Sequence, residues 1–328
     1  KMKKMKNNFI YNGFGISLVA VILALCSCSN GDQYFKDERY TKLIYIVSND
    51  NQIFDAEYNL TDSDTSVKDL TFGVSGTNPI DKNVTLDVER DSCILQKYNM
   101  DSYAEATDKY AHELSPAAYS FDQKTVSILA GGSLCDQIGK LPIRIKTSVL
   151  EFLSPDSTYF IPLRIKDATP YPINEDKDSV LYRIYKKNAF ASQKTATYYT
   201  AEGYIGNSSY SLSKLVQPIT YNEIRSYVGS EVFSATDTKD IISDKSAVIT
   251  VNSDSTVTVS PWDKNGTLEV ETLTPSKDPN DPSGSYAFQN VYKTGEKCFY
   301  IYYRYRNSPS AVWQIVREQL KLEDTTLN

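Results

Sequence analysis

The sequence predicts an all-β protein of two domains, an antiparallel sandwich followed by a β-sandwich or barrel with one short helix. Three observations carry this prediction. Apolar and polar residues alternate in many short runs, which is typical of strands with one buried face. Glycine, proline, asparagine and aspartate separate these runs. The composition also changes near residue 188, since 12 of the 25 tyrosines and both tryptophans follow it.

The chain begins with a segment typical of an export signal. Four lysines among the first six residues precede the apolar run Ile16–Leu25, which is too short for a membrane span. The next residues, Leu25-Cys26-Ser27-Cys28, resemble the lipobox of bacterial lipoproteins. This resemblance implies cleavage after Ser27 and a lipid on Cys28. Cys26 fits less well, because the bulky Leu25 would fill the cleavage pocket of the peptidase.

The alternative is an uncleaved anchor helix over residues 9–28. Asn12, Gly13 and Gly15 interrupt such a helix, and no basic cluster follows it. We therefore expect residues 1–27 to be a signal peptide and Cys28 to anchor the chain in a membrane. The expected organisation is a tether over 28–39, a first domain over 40–187, a linker over 188–197 and a second domain over 198–328.

The charge of the chain argues against nucleic acid as a partner. Removal of residues 1–27 takes away four lysines and no acid, which lowers the formal charge from -6 to -10. Such a body repels nucleic acid and anionic membrane surfaces. The mean hydropathy of -0.40 indicates a polar ectodomain.

The first domain contains a series of predicted strands and one predicted helix. Helical spacing from Ser92 to Met100, with Asp91 or Ser92 as the cap, predicts the helix. The prolines of Pro170-Tyr171-Pro172 break any helix before the last strand. The strands are predicted at residues 84–89, around Val126 and Ile128, at 141–145, at 161–165 and at 180–185.

An ordered set of short segments in this domain resembles a known family. The segments are Asn83–Val88, Gln96–Asn99, Glu113–Tyr119, Val126–Gly132, Tyr159–Ile165 and Tyr171–Asn174. Their succession is similar to the immunoglobulin-like N-terminal domain of unknown function on Bacteroides lipoproteins from polysaccharide-utilisation loci. The residues from Asp101 to Asp108 are an insert relative to that pattern.

The resemblance implies a lipid-anchored outer-membrane protein that is exposed at the cell surface, with the periplasmic face as the alternative. It also implies a spacer or platform role for the first domain. The implied partners are a polysaccharide or oligosaccharide and an outer-membrane TonB-dependent glycan importer with its lipoprotein.

The second domain resembles, by its layout, the β-rich C-terminal domain of unknown function that follows the first one in such proteins. Strands are predicted at residues 247–251, 256–259, 267–272, 298–306 and 311–322. Thr220 and Glu223 have capping-box spacing and Gly229 fits a helix end. These signals predict the short helix from Tyr221 to Val228.

Several kinds of chemistry find little support in the sequence. His112 is the only histidine, so a nucleophilic triad or a histidine metal site would have to be built around it. Cys93, Cys135 and Cys298 have no close spacing, and we interpret them as small buried apolar residues. No glycine-rich phosphate loop is present. We expect no cofactor, no metal and no enzymatic activity.

Two acidic patterns need a separate interpretation. The pairs Asp55/Glu57, Asp87/Glu89 and Glu269/Glu271 could in principle serve glycoside hydrolysis, but alternating acids on strands are usually a solvated sheet face. The oxygen-rich segment Asp278–Gly284 lacks the spacing of an EF-hand, and we predict a loop with proline turns.

Aromatic residues of the second domain are the one positive signal for a ligand. Sugar rings stack on Trp and Tyr side chains, while polar groups bond the hydroxyls. In residues 299–306, alternation places Phe299, Ile301, Tyr303 and Tyr305 on a core face. The other face carries Tyr300, Tyr302, Arg304 and Arg306, and it is the candidate surface for a ligand. The predicted glycan-binding residues are Trp262, Trp313, Tyr300, Tyr302 and Arg304.

These observations predict a cell-surface lipoprotein that binds glycan or assists its capture for an outer-membrane importer. Two alternatives stay open at this stage. One is a structural or adhesive surface component without a small-molecule ligand. The other is a glycoside hydrolase with an unrecognised carboxylate pair.

Overall fold

A computed structural model describes residues 40–323 except 62 and 132, and it consists of two β-rich domains. The predicted signal peptide, the tether and Cys28 lie outside these residues, so the lipid anchor stays a prediction. Within the described part of the chain, no helix is both long and apolar enough to cross a membrane.

The described residues form nineteen strands and three α-helices. The helices are α1 (Ser92–Tyr103), α2 (Thr147–Phe152) and α3 (Lys239–Lys245). The strands of the first domain are β1 (Ile44–Ile46), β2 (Ile53–Asn59), β3 (Thr65–Val74), β4 (Val84–Arg90), β5 (His112–Glu113), β6 (Tyr119–Phe121), β7 (Thr125–Ile128), β8 (Gly139–Lys146), β9 (Tyr159–Thr169) and β10 (Ser179–Lys187). Those of the second are β11 (Thr197–Ile205), β12 (Ser208–Pro218), β13 (Glu223–Tyr227), β14 (Ser246–Val251), β15 (Val257–Pro261), β16 (Glu269–Thr272), β17 (Val291–Lys293), β18 (Cys298–Arg306) and β19 (Gln314–Leu322).

The first domain is a sandwich of two sheets. One sheet has the order β1-β3-β8-β6, and the other has the order β2-β10-β9-β4-β7 with β5 paired to β9. Alternate residues of both sheets, such as Val84 and Leu86 of β4, form one apolar core. Inside it the hydroxyls of Tyr58 and Tyr182 share a hydrogen bond of 2.9 Å. The predicted immunoglobulin-like sandwich is therefore confirmed.

The second domain is a nearly closed barrel in which the strands run β15-β14-β13-β12-β11-β19-β18-β16, with β17 paired to β18. The two ends of this sheet meet at β15 and β16. There the Thr272 hydroxyl accepts a hydrogen bond from the Val259 N–H (2.7 Å) and donates one to the Val259 carbonyl (3.1 Å). One side chain thus replaces part of a strand ladder at the closure.

The domains meet at a buried ion pair. The Arg225 guanidinium on β13 donates two hydrogen bonds to the Asp156 carboxylate of the first domain, one of them at 2.6 Å. Its side chain is 2% exposed and that of Asp156 is 15% exposed. Lys186 is buried nearby and donates to the Leu153 carbonyl at 2.7 Å. Burial, reinforced by the charge of Arg225, lowers the pKa of Lys186 to about 8.

The predicted linker contacts both domains. The Asn188 amide group donates to the carbonyls of Thr220 (2.8 Å) and Glu223 (2.9 Å) in the second domain. On the other side, Ser192 donates to the Glu57 carboxylate and the Gln193 amide donates to the Pro155 carbonyl. These bonds fix the chain between the domains at several points.

One prediction of local structure in the second domain is wrong. The predicted helix from Tyr221 to Val228 is strand β13, whose residues 224–227 are all buried between β12 and β14. Thr220 bonds the Glu223 carboxylate (3.1 Å) rather than capping a helix, because pairing with two strands outweighs the local capping signal. The short helix of this domain is α3. In the first domain, the predicted helix extends to Tyr103, and α2 is an additional helix.

The interpretation of the cysteines as buried residues is correct only for Cys298. All three described cysteines have free thiols, and Cys93 and Cys135 are exposed. Cys93 lies in the first turn of α1, where the helix faces solvent.

Candidate functional site

Strand β18 has the two faces that its sequence predicts. Phe299, Ile301, Tyr303 and Tyr305 are buried in the barrel, while the alternate residues are partly exposed on the outer face. Residues opposite each other on paired strands share a face, so the outer face continues across β16, β19, β11 and β12. This outer face is where the predicted glycan-binding residues of β18 lie.

Trp313 and Arg304 are already engaged with other protein side chains. The guanidinium groups of Arg304 and Arg306 lie 4.2 and 4.5 Å from the centre of the Trp313 ring. Arg304 also forms an ion pair with Glu271 (2.5 Å), and Arg306 forms one with Glu269 (2.5 Å). The result is a chain of stacked and paired groups in which both arginines have partners and the tryptophan ring has two cationic neighbours.

Trp262 lies apart from the other predicted residues, at the domain interface. The Arg225 guanidinium that binds Asp156 lies 4.9 Å from the centre of the Trp262 ring. The backbone N–H of Trp262 donates a hydrogen bond to the Ser246 carbonyl (3.0 Å), and this bond extends the pairing of β14 and β15. Trp262 thus packs on the arginine that forms the ion pair between the domains.

Tyr300 and Tyr302 lie on the outer face next to a groove. The Tyr300 hydroxyl donates to Glu296 (2.6 Å), and this bond raises the pKa of Tyr300. The cross-strand partners of the two tyrosines are Gln319 and Arg317 on β19. Through Gln319 the predicted residues of β18 adjoin the groove.

The groove has a volume of ≈ 460 Å³ and lies over β11, β12 and β19. Strand register brings its residues together, because Glu202 pairs with both Ser211 and Gln319. Tyr204 is 43% exposed, and the Arg317 guanidinium 5.0 Å from its ring centre holds the ring in place. The lining residues are Glu202, Gly203, Tyr204, Ser209, Tyr210, Ser211, Phe288 and Gln319.

A long loop between β16 and β17 supplies Phe288 to this groove. Arg317 fastens the loop to the sheet, since its two terminal nitrogens donate to the carbonyls of Ser283 and Gly206, both at 2.5 Å. Gly284 has φ +64, and a side chain there would meet Arg317 at 2.6 Å. The loop is thereby held close to the sheet with Phe288 at the groove.

The oxygen-rich segment of this loop forms turns, as predicted. The carboxylates of Asp278 and Asp281 accept backbone hydrogen bonds from Asn280 (2.9 Å) and Ser283 (2.8 Å). Among residues 40–323, apart from 62 and 132, no three His, Cys, Asp or Glu side chains are grouped to hold a metal ion.

A buried polar network supports the groove from inside the barrel. Lys214 and Glu318 form a buried ion pair, in which the lysine side chain is 1% exposed and the glutamate side chain is 3% exposed. The hydroxyl of Tyr210, a groove residue, donates to Glu318 at 2.9 Å, and Lys214 donates to the Tyr227 carbonyl at 3.0 Å. Burial and the negative charge of Glu318 raise the pKa of Tyr210, so its hydroxyl stays protonated. Satisfied networks of this kind hold the strands in one arrangement.

The groove offers aromatic surface and hydrogen-bonding groups at the same place. Tyr204 and Phe288 supply rings, while Gln319, Ser209 and Ser211 supply amide and hydroxyl groups. Glu202 is its one carboxylate, and no lysine or arginine is among the lining residues. Such a surface suits an uncharged polar ligand with apolar C–H faces.

The sequence pointed to the same domain as this groove but did not single out its residues. Tyr204 and Glu202 alternate along β11, a signal that marks one face of a strand but not its neighbours. Phe288 has no such signal, because a loop far along the chain brings it to β11.

Two family models match the chain in succession. One, described as an N-terminal domain, matches residues 37–172, and one described as C-terminal matches residues 178–321. The chain belongs to this two-domain family. The resemblance to two-domain proteins of Bacteroides polysaccharide-utilisation loci is thereby confirmed. The second match begins before β10, although β10 pairs with the sheet of the first domain.

Solved structures from Bacteroides share the fold across both domains. A multidomain protein including DUF1735 from Bacteroides ovatus is 14% identical, with a TM-score of 0.54, over 85% of this chain and 94% of its own. A second Bacteroides ovatus protein of unknown function has the same identity and TM-score, over 86% and 93%. An auxiliary nutrient binding protein from Bacteroides thetaiotaomicron is 17% identical with a TM-score of 0.50, over 83% and 91%. The comparison with curated proteins gives no match.

Proposed function

We propose that this protein binds a neutral glycan in the groove of its second domain and holds it at the outer membrane for an importer. The observation that carries the proposal is the juxtaposition of Tyr204 and Phe288 with Gln319 and two serine hydroxyls in one open groove. Rings that stack on the C–H face of a sugar and side chains that bond its hydroxyls are the two requirements of a saccharide site. Tyr300 and Tyr302 extend the aromatic surface beyond the groove.

The proposal includes the lipid anchor at Cys28 and a TonB-dependent importer with its lipoprotein as partner. The support for these parts is the lipobox-like sequence and the family to which both domains belong. The fold shared with an auxiliary nutrient binding protein is consistent with capture of a nutrient.

Binding without hydrolysis is the form of the proposal that the groove favours. Glycoside hydrolysis by the common mechanisms needs two carboxyl groups on opposite sides of the bond. Glu202 is the one carboxylate among the groove residues. Its negative charge also disfavours uronic or sulfated glycans.

Affinity electrophoresis of residues 29–328 tests the proposal. The gels contain arabinan, levan, yeast mannan or chondroitin sulfate, and the same mixtures are assayed for released sugars. We expect retardation by at least one of the three neutral polysaccharides, no retardation by chondroitin sulfate and no products.

Variants locate the site. Tyr204→Ala and Phe288→Ala should each weaken retention at least tenfold, or about 1.4 kcal/mol. Tyr198→Ala is the matched control, because Tyr198 lies on the same strand and face, is 41% exposed and does not line the groove. Equal retention of all three variants and the parent would refute the groove as the site.

A further inference from the structure

The first domain contains a larger groove, which lies on the outer face of its six-stranded sheet. Helix α1 covers part of that face by packing on a small apolar cluster that includes Leu95 and Phe160. Beside the helix, next to the first residues of β2 and β10, a groove of ≈ 600 Å³ stays open. It is separate from the groove of the second domain, since no residue lines both.

The floor of this groove is apolar and carries one aromatic ring. Ile53 of β2, Leu181 of β10 and Ile94 of α1 form the floor. Tyr98 lies beside them, and its ring packs edge-on against Phe160 with centroids 5.2 Å apart. This contact fixes the tyrosine ring at the edge of the apolar surface.

A rigid turn forms the polar rim opposite the helix. Gln52 has φ 56, the left-handed region that residues other than glycine rarely adopt. Its amide group donates to the Asp176 carbonyl at 2.8 Å, which holds the turn. The Asn49 side-chain oxygen accepts from the N–H groups of Asn51 (3.0 Å) and Ile53 (2.8 Å). Strained residues held in place by their surroundings are frequent at binding sites.

The rim carries charges that cancel in pairs. Lys97 and Asp101 of α1 form an ion pair of 2.7 Å, and Arg183 forms one of 2.7 Å with Asp55. The remaining polar side-chain groups of the groove are three amides and the hydroxyls of Ser102 and Tyr98. An apolar floor with an aromatic edge, inside a rim of amides and balanced charges, matches a neutral sugar rather than an ionic ligand.

We propose that this groove is a second saccharide subsite, which makes the protein bivalent for one polysaccharide chain. The inference rests on the proposed function for the identity of the ligand class, but on different residues. Because several bonds fix the chain between the domains, a polysaccharide long enough to reach both grooves would meet the second one at high effective concentration. Two linked weak sites then retain a polymer at least tenfold more strongly than either one alone.

The test uses residues 29–328 in gels of levan, arabinan or yeast mannan. Ser102→Trp fills the first-domain groove from the helix, and Asn51→Ala removes an amide from its rim. Gln96→Trp is the matched control, because Gln96 is also exposed on α1 but does not line the groove. Tyr204→Ala and the double variant Ser102→Trp/Tyr204→Ala complete the set, and circular dichroism verifies that each variant is folded.

We expect a tenfold or greater loss of retention in Ser102→Trp and in Tyr204→Ala, and a smaller loss in Asn51→Ala. Gln96→Trp should be retained like the parent protein, and the double variant should not be retained. Full retention of Ser102→Trp and Asn51→Ala with loss in Tyr204→Ala would overturn the second subsite and leave the proposed function standing. Loss in Ser102→Trp alone would support this subsite and overturn the groove of the second domain. A parent protein that no polysaccharide retards would overturn both.

Discussion

Loss of the Asp156 carboxylate should destabilise the contact between the domains strongly. In Asp156→Ala the Arg225 guanidinium, which is 2% exposed in the parent protein, loses its counter-ion while the Lys186 ammonium stays close by. Removal of one partner from a buried ion pair costs about 3–5 kcal/mol. Since Asp156 is itself 15% exposed, we expect the lower figure, about 3 kcal/mol. For a chain of this size that corresponds to a fall of about 5 °C in the melting temperature.

Urea denaturation measures this effect, with tryptophan fluorescence as a local signal. Trp262 stacks over Arg225, so its emission reports on this contact. Asp101→Ala is the control, because it breaks an ion pair whose side chains are 78% and 62% exposed and should change stability by less than about 1 kcal/mol.

The double variant Asp156→Ala/Arg225→Met completes a thermodynamic cycle. It leaves no unpaired buried charge at this position, so it should recover most of the lost free energy of unfolding. The reasoning is refuted if Asp156→Ala unfolds within about 0.5 kcal/mol of the parent, the usual range for a surface substitution. A double variant no more stable than Asp156→Ala would equally refute it.

Three further predictions concern other parts of the structure. Lys186 has a pKa of about 8 in the folded chain against 10.5 for an exposed lysine, so the unfolded state binds more protons between these limits. Stability relative to Lys186→Met should therefore rise by up to about 3 kcal/mol from pH 8 to 10.5, and a constant difference in urea titrations would contradict this. Gly203→Ala should lower the melting temperature by several degrees, because its Cβ would overlap the Arg317 carbonyl oxygen; calorimetry that shows no change would contradict the close approach of the strands. Trp262→Ala should reduce stability and leave polysaccharide retention unchanged, since its ring contacts Arg225; loss of retention in a folded variant would return Trp262 to the glycan site.

The sequence was sufficient to predict the strands whose side chains alternate cleanly. Strand β18 was predicted with its observed limits and with the correct buried face, because burial on one side leaves a period of two that is visible in the sequence. Strand β13 gave the opposite result. Its local signals favour a helix, and only the pairing with β12 and β14 makes it a strand.

The candidate sites were less predictable, for a physical reason. Tyr300 and Tyr302 lie next to the groove, but Trp313 and Trp262 stack with arginines whose positions depend on the fold. Tyr204 and Phe288 come together through strand register and through the carbonyls that Arg317 binds. Contacts of this kind join residues far apart in the chain, and no local pattern records them.

The closure of the barrel at Thr272 has a consequence for its motions. At the start of β15 the closure has backbone bonds, since the Val257 N–H donates to the Asn290 carbonyl (2.8 Å) and the Tyr292 N–H donates to the Ser255 carbonyl (2.9 Å). Further along, at Val259, a single hydroxyl connects β15 to β16. We expect this seam to be the first part of the barrel to open in solution, so the Val259 amide should exchange its hydrogen for deuterium sooner than the amides of the central strands β11 and β12. Replacement of Thr272 by valine would keep the shape of the side chain and speed up that exchange. Local opening of the barrel at Val259 thus depends on one hydroxyl group.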